Sequence, residues 1–213
     1  NSGVVNRTTY FSSILTINFT SLPEDNYTYN VTAVDILSQS NTTQTYRILL
    51  DYTAPNGTLI SPVNGNITNI TSQNMTLNVT DNYGLTNVTL FIYNSSNSLI
   101  NQTTQAVSGV QALVGIVYNF VYDGIFSWFY QIRDIANNLF TTTNSTITID
   151  TNAPRVYLNI TNNTFFNTNN VALNYTPVDS IGLKECALYI NGAYNMTNQS
   201  TILNGQLNNF TLN

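Results

Sequence analysis

Charged residues are scarce in this chain of 213 residues. Asp, Glu, Lys and Arg make up only 7% of it, against roughly 25% in an ordinary soluble protein. Ten acidic and five basic residues give a formal net charge of −5, without a basic cluster that could follow a phosphate backbone. We therefore do not expect nucleic acid as a partner. Asn, Thr and Ser take the place of charge, so the surface needs another source of solubility.

Histidine is absent, and cysteine occurs once, at Cys186. A disulfide within this chain is excluded, and so is chemistry that requires His as a metal ligand or triad member. Cys186 falls at an inward position of a predicted strand, which favours a small buried apolar side chain over a reactive thiol. The chain also begins without Met or a signal peptide, so we expect a processed chain or part of a longer one.

The sequence repeats itself at an offset of about 99 residues. Residues 51–55 (Asp-Tyr-Thr-Ala-Pro) recur as 150–154 (Asp-Thr-Asn-Ala-Pro), and Tyr29 corresponds to Trp128 at the same offset. Residues 77–92 recur in the last third of the chain at offsets of 96 to 98. A repeat of this length matches the size of an immunoglobulin-like β-sandwich, and a near-constant offset indicates tandem domains.

The repeat predicts three segments. Residues 1–51 form the second half of one unit, 52–150 a complete unit, and 151–213 the first half of a third. A half-sandwich buries too little surface to stand alone and leaves strand edges unpaired. We expect each half to be completed by continuing chain or by another copy, and exchange of strands between copies would give an open filament.

Alternating apolar and polar residues predict seven short β-strands in the complete unit and no helix. In one of them Met75, Leu77 and Val79 are expected to point inward, and Asn74 and Asn78 outward. The seven strands are predicted near 58–60, 74–79, 88–93, 99–103, 113–120, 126–132 and 147–149. This pattern favours an all-β fold of tandem immunoglobulin-like β-sandwich domains.

One segment, 112–130, is apolar enough to imitate a membrane span. Its counterpart one repeat earlier, 13–31, contains Pro23, Glu24 and Asp25, which a bilayer would not accept. We therefore interpret the apolar run as two consecutive β-strands, and we predict no membrane span in this segment.

Several motifs resemble those of a known family. They are 79–85 (Val-Thr-Asp-Asn-Tyr-Gly-Leu), 132–138 (Ile-Arg-Asp-Ile-Ala-Asn-Asn) and 149–154 (Ile-Asp-Thr-Asn-Ala-Pro). Together they resemble the Ig-like repeats of large prokaryotic surface proteins, and the similar Asn- and Thr-rich repeats occur in archaeal S-layer, adhesin-like and filament proteins. The resemblance covers the whole chain and implies an extracellular, cell-surface location. Asn137 stands where such repeats usually have Gly, and Asn also tolerates a left-handed backbone.

Twenty of the 36 asparagines begin an Asn-X-Thr/Ser sequon, the acceptor site for N-linked glycans. Random placement of the 48 Ser and Thr residues predicts about 8 such sites. The excess favours selection for glycosylation, and we expect covalent N-linked glycans to supply the missing solubility. The predicted sites are Asn6, Asn18, Asn26, Asn30, Asn41, Asn56, Asn66, Asn69, Asn74, Asn78, Asn87, Asn94, Asn101, Asn144, Asn159, Asn162, Asn174, Asn195, Asn198 and Asn209.

Three aromatic residues are predicted to share an exposed face of neighbouring strands. Phe91, Tyr93 and Phe129 point outward in the strand pattern, and no sequon begins between Asn101 and Asn144. An apolar patch without nearby sugar suggests a protein contact, such as a subunit interface. The other interpretation is that a loop or the adjoining repeat covers the patch.

The few carboxylates recur at strand ends, including Asp81, Asp134 and Asp150. We expect them to cap tight turns, and calcium is the alternative, although no segment has the acidic density of an EF-hand loop. The pairs of opposed carboxylates that glycosidases require are missing, as are a phosphate-binding loop and a Ser elbow. We therefore expect no catalytic residues, no metal ligands and no enzymatic activity.

Three functions fit these observations. The first is a structural protein whose repeats form a surface filament or S-layer-type assembly with other copies of itself or with neighbouring repeats. The second is the stalk of a cell-surface adhesin. The third is a carbohydrate-binding module, which would use the exposed aromatic residues as its platform.

Overall fold

The computed structural model describes residues 18–198 and 200–212, and these residues form 18 β-strands joined by turns and loops. The prediction of an all-β fold is confirmed for this part of the chain. Within it there is no helix that is long and apolar enough to cross a bilayer. The chain divides into unit 1, Asn1–Thr53, and unit 2, Ala54–Asn213. The division lies beside the predicted boundary at 51/52, and residues 151–213 belong to unit 2.

The described residues of unit 1 form one long, twice-paired hairpin. Its strands are β1 (Asp25–Tyr29), β2 (Thr32–Val34), β3 (Ser40–Thr42) and β4 (Tyr46–Leu50). β1 pairs antiparallel with β4, and β2 pairs antiparallel with β3. At the turn, the Asp35 carboxylate accepts hydrogen bonds from the backbone N–H groups of Leu37 and Gln39.

The first part of unit 2 is a sandwich of two sheets. Its strands are β5 (Asn56–Ser61), β6 (Asn66–Thr68), β7 (Ser72–Thr80), β8 (Leu85–Asn94), β9 (Leu99–Ala106), β10 (Gln111–Asn119), β11 (Gly124–Asp134), β12 (Leu139–Thr141) and β13 (Ser145–Ile149). One sheet has the strand order β10-β7-β5, and the other has the order β6-β13-β11-β8-β9, with β12 paired to β11. The predicted pairing of the strands that carry Phe91 and Phe129 is confirmed, because β8 and β11 are neighbours.

The core lies between these two sheets and follows the period-2 alternation of the strands. Met75, Leu77 and Val79 of β7 are fully buried, whereas Asn74 on the same strand is exposed. Trp128 of β11 is also fully buried. The buried apolar residues of this core are Met75, Leu77, Val79, Leu85, Val88, Leu90, Ile92, Val114, Ile116, Phe120, Phe126, Trp128, Tyr130, Ile132, Ile147 and Ile149.

Two contacts join the facing sheets. The Tyr130 hydroxyl of β11 donates a hydrogen bond of 2.7 Å to the backbone carbonyl of Met75 in β7. Gly57 of β5 lies so close to the other sheet that a Cβ atom there would come within 2.3 Å of Cδ1 of Ile132. The first contact satisfies a buried hydroxyl, and the second lets the strands approach without a side chain between them.

The last part of unit 2 contains a second three-stranded sheet and a hairpin. The strands are β14 (Arg155–Leu158), β15 (Val171–Val178), β16 (Ala187–Ile190), β17 (Ala193–Thr197) and β18 (Asn208–Leu212). The sheet has the order β14-β15-β18, and β16 pairs with β17. Tyr175 and Phe210 are buried and stack on each other with ring centroids 4.9 Å apart. Cys186 precedes β16 and is half-buried with a free thiol, so its predicted full burial in a strand is wrong.

Strand registers recur at the sequence offset of the repeat. Every residue pair of β1 and β4, such as Tyr29 with Tyr46, is found again 99 residues later between β11 and β13. The β2–β3 pairs recur in the same way between β11 and β12. Every pair of β15 and β18 corresponds to a pair of β7 and β10 that lies 96 residues earlier. Equivalent sequence positions therefore have equivalent strand partners.

Burial differs between equivalent positions. Tyr29 is 51% exposed, whereas Trp128 is fully buried. The described residues of unit 1 contain no strands that correspond to β7 and β10, which cover Trp128 in unit 2. The local strand pairing is thus the same, and the second layer accounts for the difference in burial.

Candidate functional site

The structure brings Phe91, Tyr93 and Phe129 together on the outer face of the sheet that contains β8 and β11. Phe91 lies directly opposite Phe129 in the antiparallel register, and Tyr93 lies one step diagonally away. The ring centroids are 5.1 Å apart for Phe91 and Phe129, and 6.0 Å apart for Tyr93 and Phe129. The predicted grouping of these three residues, which we call the aromatic cluster, is therefore present.

The three rings are stacked rather than laid side by side. The ring planes of Phe91 and Phe129 meet at 13°, and those of Tyr93 and Phe129 meet at 9°. Parallel rings at these short centroid distances must overlap face to face with an offset. Each of the three rings is half-buried.

The aromatic cluster is bordered by a sequon asparagine, contrary to the expectation that no sugar site lies nearby. Asn87 is on the same outer face of β8, four residues from Phe91, which corresponds to roughly 13 Å along a strand. Asn87 lies before the sequon-free interval in the sequence, so that interval gave no sign of it. It comes near the cluster because its strand, β8, pairs with β11. A glycan at Asn87 would therefore limit access to the cluster from one end.

The sequon asparagines lie at the surface throughout the described residues. Of the twenty, Asn6 lies outside the described residues, and none of the other nineteen is buried. The exposed ones are Asn18, Asn26, Asn30, Asn41, Asn56, Asn69, Asn74, Asn144, Asn159, Asn162, Asn195 and Asn209, and the half-buried ones are Asn66, Asn78, Asn87, Asn94, Asn101, Asn174 and Asn198.

One asparagine outside the sequons provides a contrast. Asn208 is 8% exposed, and its side chain bonds to the backbone at Leu203 and Gln206. Among the described residues it is the single buried asparagine, and the residues that follow it, Asn-Phe, do not form a sequon. The buried asparagine thus begins no sequon, whereas the half-buried Asn198, which begins one, donates a hydrogen bond from Nδ2 to the Tyr175 hydroxyl.

The carboxylates cap turns as predicted. Oδ1 of Asp81 accepts hydrogen bonds from the backbone N–H groups of Tyr83 and Gly84, at 2.9 and 2.6 Å. Oδ1 of Asp179, its counterpart in the repeat, accepts the equivalent pair from Ile181 and Gly182. Their main role is therefore to stabilise the backbone of these turns.

A second pair of turns is also equivalent. Asp134 accepts a hydrogen bond of 2.8 Å from the backbone N–H of Asn138, as Asp35 does from Gln39. Asn137 has a φ of 69°, which confirms the predicted left-handed backbone at this position. A carboxylate at the start of the turn and an asparagine at its end together fix the hairpin between β11 and β12.

Two further carboxylates hold the segments that follow β4 and β13. Glu24 accepts hydrogen bonds from the backbone N–H of Tyr52 and the hydroxyl of Thr53. Asp123, which lies 99 residues later, accepts them from the side chains of Thr151 and Asn152. This carboxylate clamp was not predicted from the sequence, although the recurrence of an acidic residue at an offset of 99 is a signal for it.

Two carboxylates of the sandwich lie close to each other. A carboxylate oxygen of Asp81 lies within 4.8 Å of one from Asp134. Calcium requires six to eight oxygens, and the oxygens of Asp134 already accept two hydrogen bonds from Asn138. The two aspartates alone do not form a calcium cage.

One groove of unit 2 is lined by no ionisable side chain. It has a volume of about 440 Å³ and lies between β5 and the segment that leads into β13. It is lined by Gly57, Thr58, Leu59, Ile60, Pro62, Val63, Asn64, Thr142, Thr143, Asn144 and Ser145. Its hydroxyl groups, from Thr58, Thr142, Thr143 and Ser145, have no acidic or basic side chain beside them in this lining that could serve as a general base.

Comparisons with known proteins give no family assignment. No protein-family model matches the chain, and no curated protein matches it. Among solved structures, one of those similar is described as "Structures of Clostridium thermocellum CbhA fibronectin(III)-like modules", with 15% sequence identity and a TM-score of 0.31. The similarity covers 73% of this chain and 78% of that chain. The strand pairings of the chain itself define its fold.

Proposed function

We propose that this chain is a stretch of a structural, N-glycosylated extracellular protein whose repeated Ig-like β-sandwich units form a surface filament or S-layer-type assembly. The observation that carries the proposal is the placement of the sequons. All nineteen described sequon asparagines are accessible in the folded chain, and the buried Asn208 is not part of a sequon. Accessibility is what modification requires, and the excess of twenty sequons over the roughly 8 that random placement gives is what favours selection.

The glycans supply the solubility that charged side chains give to other proteins. A surface with 7% charged residues has few ionic groups to keep neighbouring molecules apart. Hydrated sugars on the outer faces of β7 and β8 would provide solubility without charge, and they would hinder strand pairing between molecules. This role suits an extracellular compartment, where sequons are modified.

Tandem repetition is supported by the strand registers. The recurrence of the same residue pairs at offsets of 99 and 96 is what three consecutive segments of Ig-like units would produce. We propose the segments 1–51, 52–150 and 151–213 on this basis. Repeats of one fold arranged along a chain are typical of extended structural proteins.

The role proposed here is non-enzymatic, and we assign the aromatic cluster to contacts with other copies in the assembly. Stacked, half-buried aromatic rings at a surface resemble the apolar centre of a protein interface. The adhesin stalk and the carbohydrate-binding module are the other functions that the test must separate.

Electron microscopy of the native protein, together with sedimentation of two variants, tests the proposal. We expect regular polymers from the wild-type chain. Phe129→Thr, which removes one ring of the cluster and keeps a residue type suited to a strand, should shift the sedimenting mass toward single chains. Ile125→Thr should not, because this exposed residue is on the same face of β11 but outside the cluster.

Other outcomes would overturn parts of the proposal. Single rods under all conditions would favour the adhesin stalk, and specific retention of the wild-type chain on a polysaccharide would favour the carbohydrate-binding module. Calcium as a stiffening ion predicts a lower melting temperature in chelator. Our proposal has no resident metal and expects the melting temperature to stay the same.

A further inference from the structure

The outer face of β10 carries an apolar stripe at the end of its sheet. Leu113 and Val117 are 72% and 63% exposed, and they flank Gly115 on the same face. The residues between them, Val114 and Ile116, belong to the core. In the strand order β10-β7-β5, β10 has β7 on one side, and the described residues place no strand on its other side. The stripe is therefore open along an edge strand.

The antiparallel register sets each of these aliphatic residues opposite a sequon asparagine. Leu113 pairs with Asn78, and Val117 pairs with Asn74. Side chains directly opposite each other have Cβ atoms about 4.5–5.5 Å apart. The two potential glycosylation sites of β7 are thus the nearest cross-strand neighbours of the two exposed aliphatic side chains.

Gly115 leaves a space between the side chains of Leu113 and Val117. A Cβ atom on Gly115 would lie 2.5 Å from Oδ1 and 2.8 Å from Nδ2 of Asn74. The carboxamide of Asn74 therefore already lies over β10, in the gap between Leu113 and Val117. Because both of its terminal atoms are close to Gly115, this holds whichever way the amide group is oriented.

We propose that the N-linked glycan at Asn74, supported by the one at Asn78, covers this stripe. The first pyranose ring, joined to Nδ2 of Asn74, starts directly above Gly115 and lays the C–H groups of one ring face against Leu113 and Val117. The aliphatic side chains leave water, and the sugar hydroxyls stay hydrated on the opposite side. The modification thereby becomes part of the packing of the sheet and shields an edge that would otherwise pair with other chains.

This inference rests on the proposed N-glycosylation. A double-mutant cycle of four chains distinguishes a failure of the inference from a failure of the glycosylation. The chain is expressed in its native cells as wild type, as Asn74→Gln/Asn78→Gln, as Leu113→Thr/Val117→Thr, and as the combination of all four changes. Thr is well accepted at exposed strand positions, and neither Thr change creates a new sequon. Peptide mass spectrometry records the sugar, and calorimetry records the melting temperature.

The expected result is a coupling between the sugar and the stripe. Loss of both sequons should lower the melting temperature of the wild type by about 4 °C, and it should lower that of the Leu113→Thr/Val117→Thr chain by about 1 °C or less. Asn87→Gln is the control, because Asn87 pairs with Ala106 and Arg133 in the other sheet. Its effect should be the same in both backgrounds.

Two results would overturn the inference, and they are distinguishable. Unmodified peptides at Asn74 and Asn78 would show that no sugar is attached there, which would also count against the proposed function. Modified peptides, with an equal loss of melting temperature in both backgrounds, would leave the glycosylation standing and would show that the sugar does not pack on β10.

Discussion

The buried hydroxyl of Tyr130 joins the two sheets of the sandwich. Tyr130 is fully buried, and its O–H group bonds to the Met75 carbonyl of the opposite sheet. A polar group of this kind is stabilising only while its hydrogen bond is made, because burial without a partner costs about 1–3 kcal/mol. Burial also raises the pKa of the Tyr130 hydroxyl above the ordinary tyrosine value of about 10.

The raised pKa predicts loss of stability at alkaline pH. The folded chain keeps the Tyr130 proton at pH values where the unfolded chain releases it, so the contribution to stability is complete below about pH 9 and falls as the pH rises past about 10. Thermal unfolding measured from pH 7 to 12 should show this decline, and Tyr130→Phe should flatten it. An equally steep decline in the variant would contradict the assignment.

The residue pattern predicted which way a side chain points better than it predicted which other residues lie near that side chain. Period-2 alternation placed Asn74 and Asn78 outward on β7, and the structure confirms this. The left-handed backbone of Asn137 was also predictable, because few residue types tolerate it. The proximity of Asn87 to the aromatic cluster was not predicted. It depends on how far apart exposed residues lie along β8, and the strand pattern was used only to assign faces.

Strands approach each other closely where β5 crosses the second sheet, and Gly57 makes that approach possible. Gly57→Ala should cost about 1–3 kcal/mol, because the new methyl group would overlap Cδ1 of Ile132. The sequon that begins at Asn56 is preserved by this change. A urea unfolding curve measures the loss, and Gly182→Ala is the control because open space surrounds Gly182. Equal, small effects of both changes would show that the core adjusts freely.

The carboxylate clamp holds the segment that follows β13. Asp123→Ala removes the partner of Thr151 and Asn152, and each such hydrogen bond contributes about 0.5–1.5 kcal/mol. Hydrogen exchange of residues 151–153 should become about 10-fold faster, while exchange in β7 stays the same. Unchanged exchange after β13 would mean that the clamp does not order this segment.

At the level of elements, the existence of strands was predictable and some of their partners were not. The neighbouring positions of β8 and β11 followed from the expected sandwich. The pairing of β9 with β8, and the parallel pairing of β6 with β13, could not be read from alternation, which marks the faces of a strand but not its neighbours. The clamp was missed for a related reason, since it joins a loop to a segment outside the strands.

At the scale of the whole molecule, the repeat and the sequons extend along the same chain. Equivalent positions keep their strand partners at offsets of 99 and 96, while asparagines that begin sequons remain accessible on each described segment. A chain with few charges can be both repetitive and soluble if sugars separate its surfaces. Which surfaces would meet in the proposed assembly depends on partners that alternation and repeat offsets do not specify.

Site-by-site mass spectrometry of peptides from the native protein decides whether the sequons are used. Chymotrypsin is the suitable protease, because the chain has 25 aromatic residues and only five Lys and Arg residues. We expect sugar masses on peptides that contain exposed sequons such as Asn74 and Asn144, and none on Asn97 or Asn119, which are exposed but lie outside sequons. Unmodified sequon peptides throughout the chain would contradict the proposal of a glycan-coated surface protein.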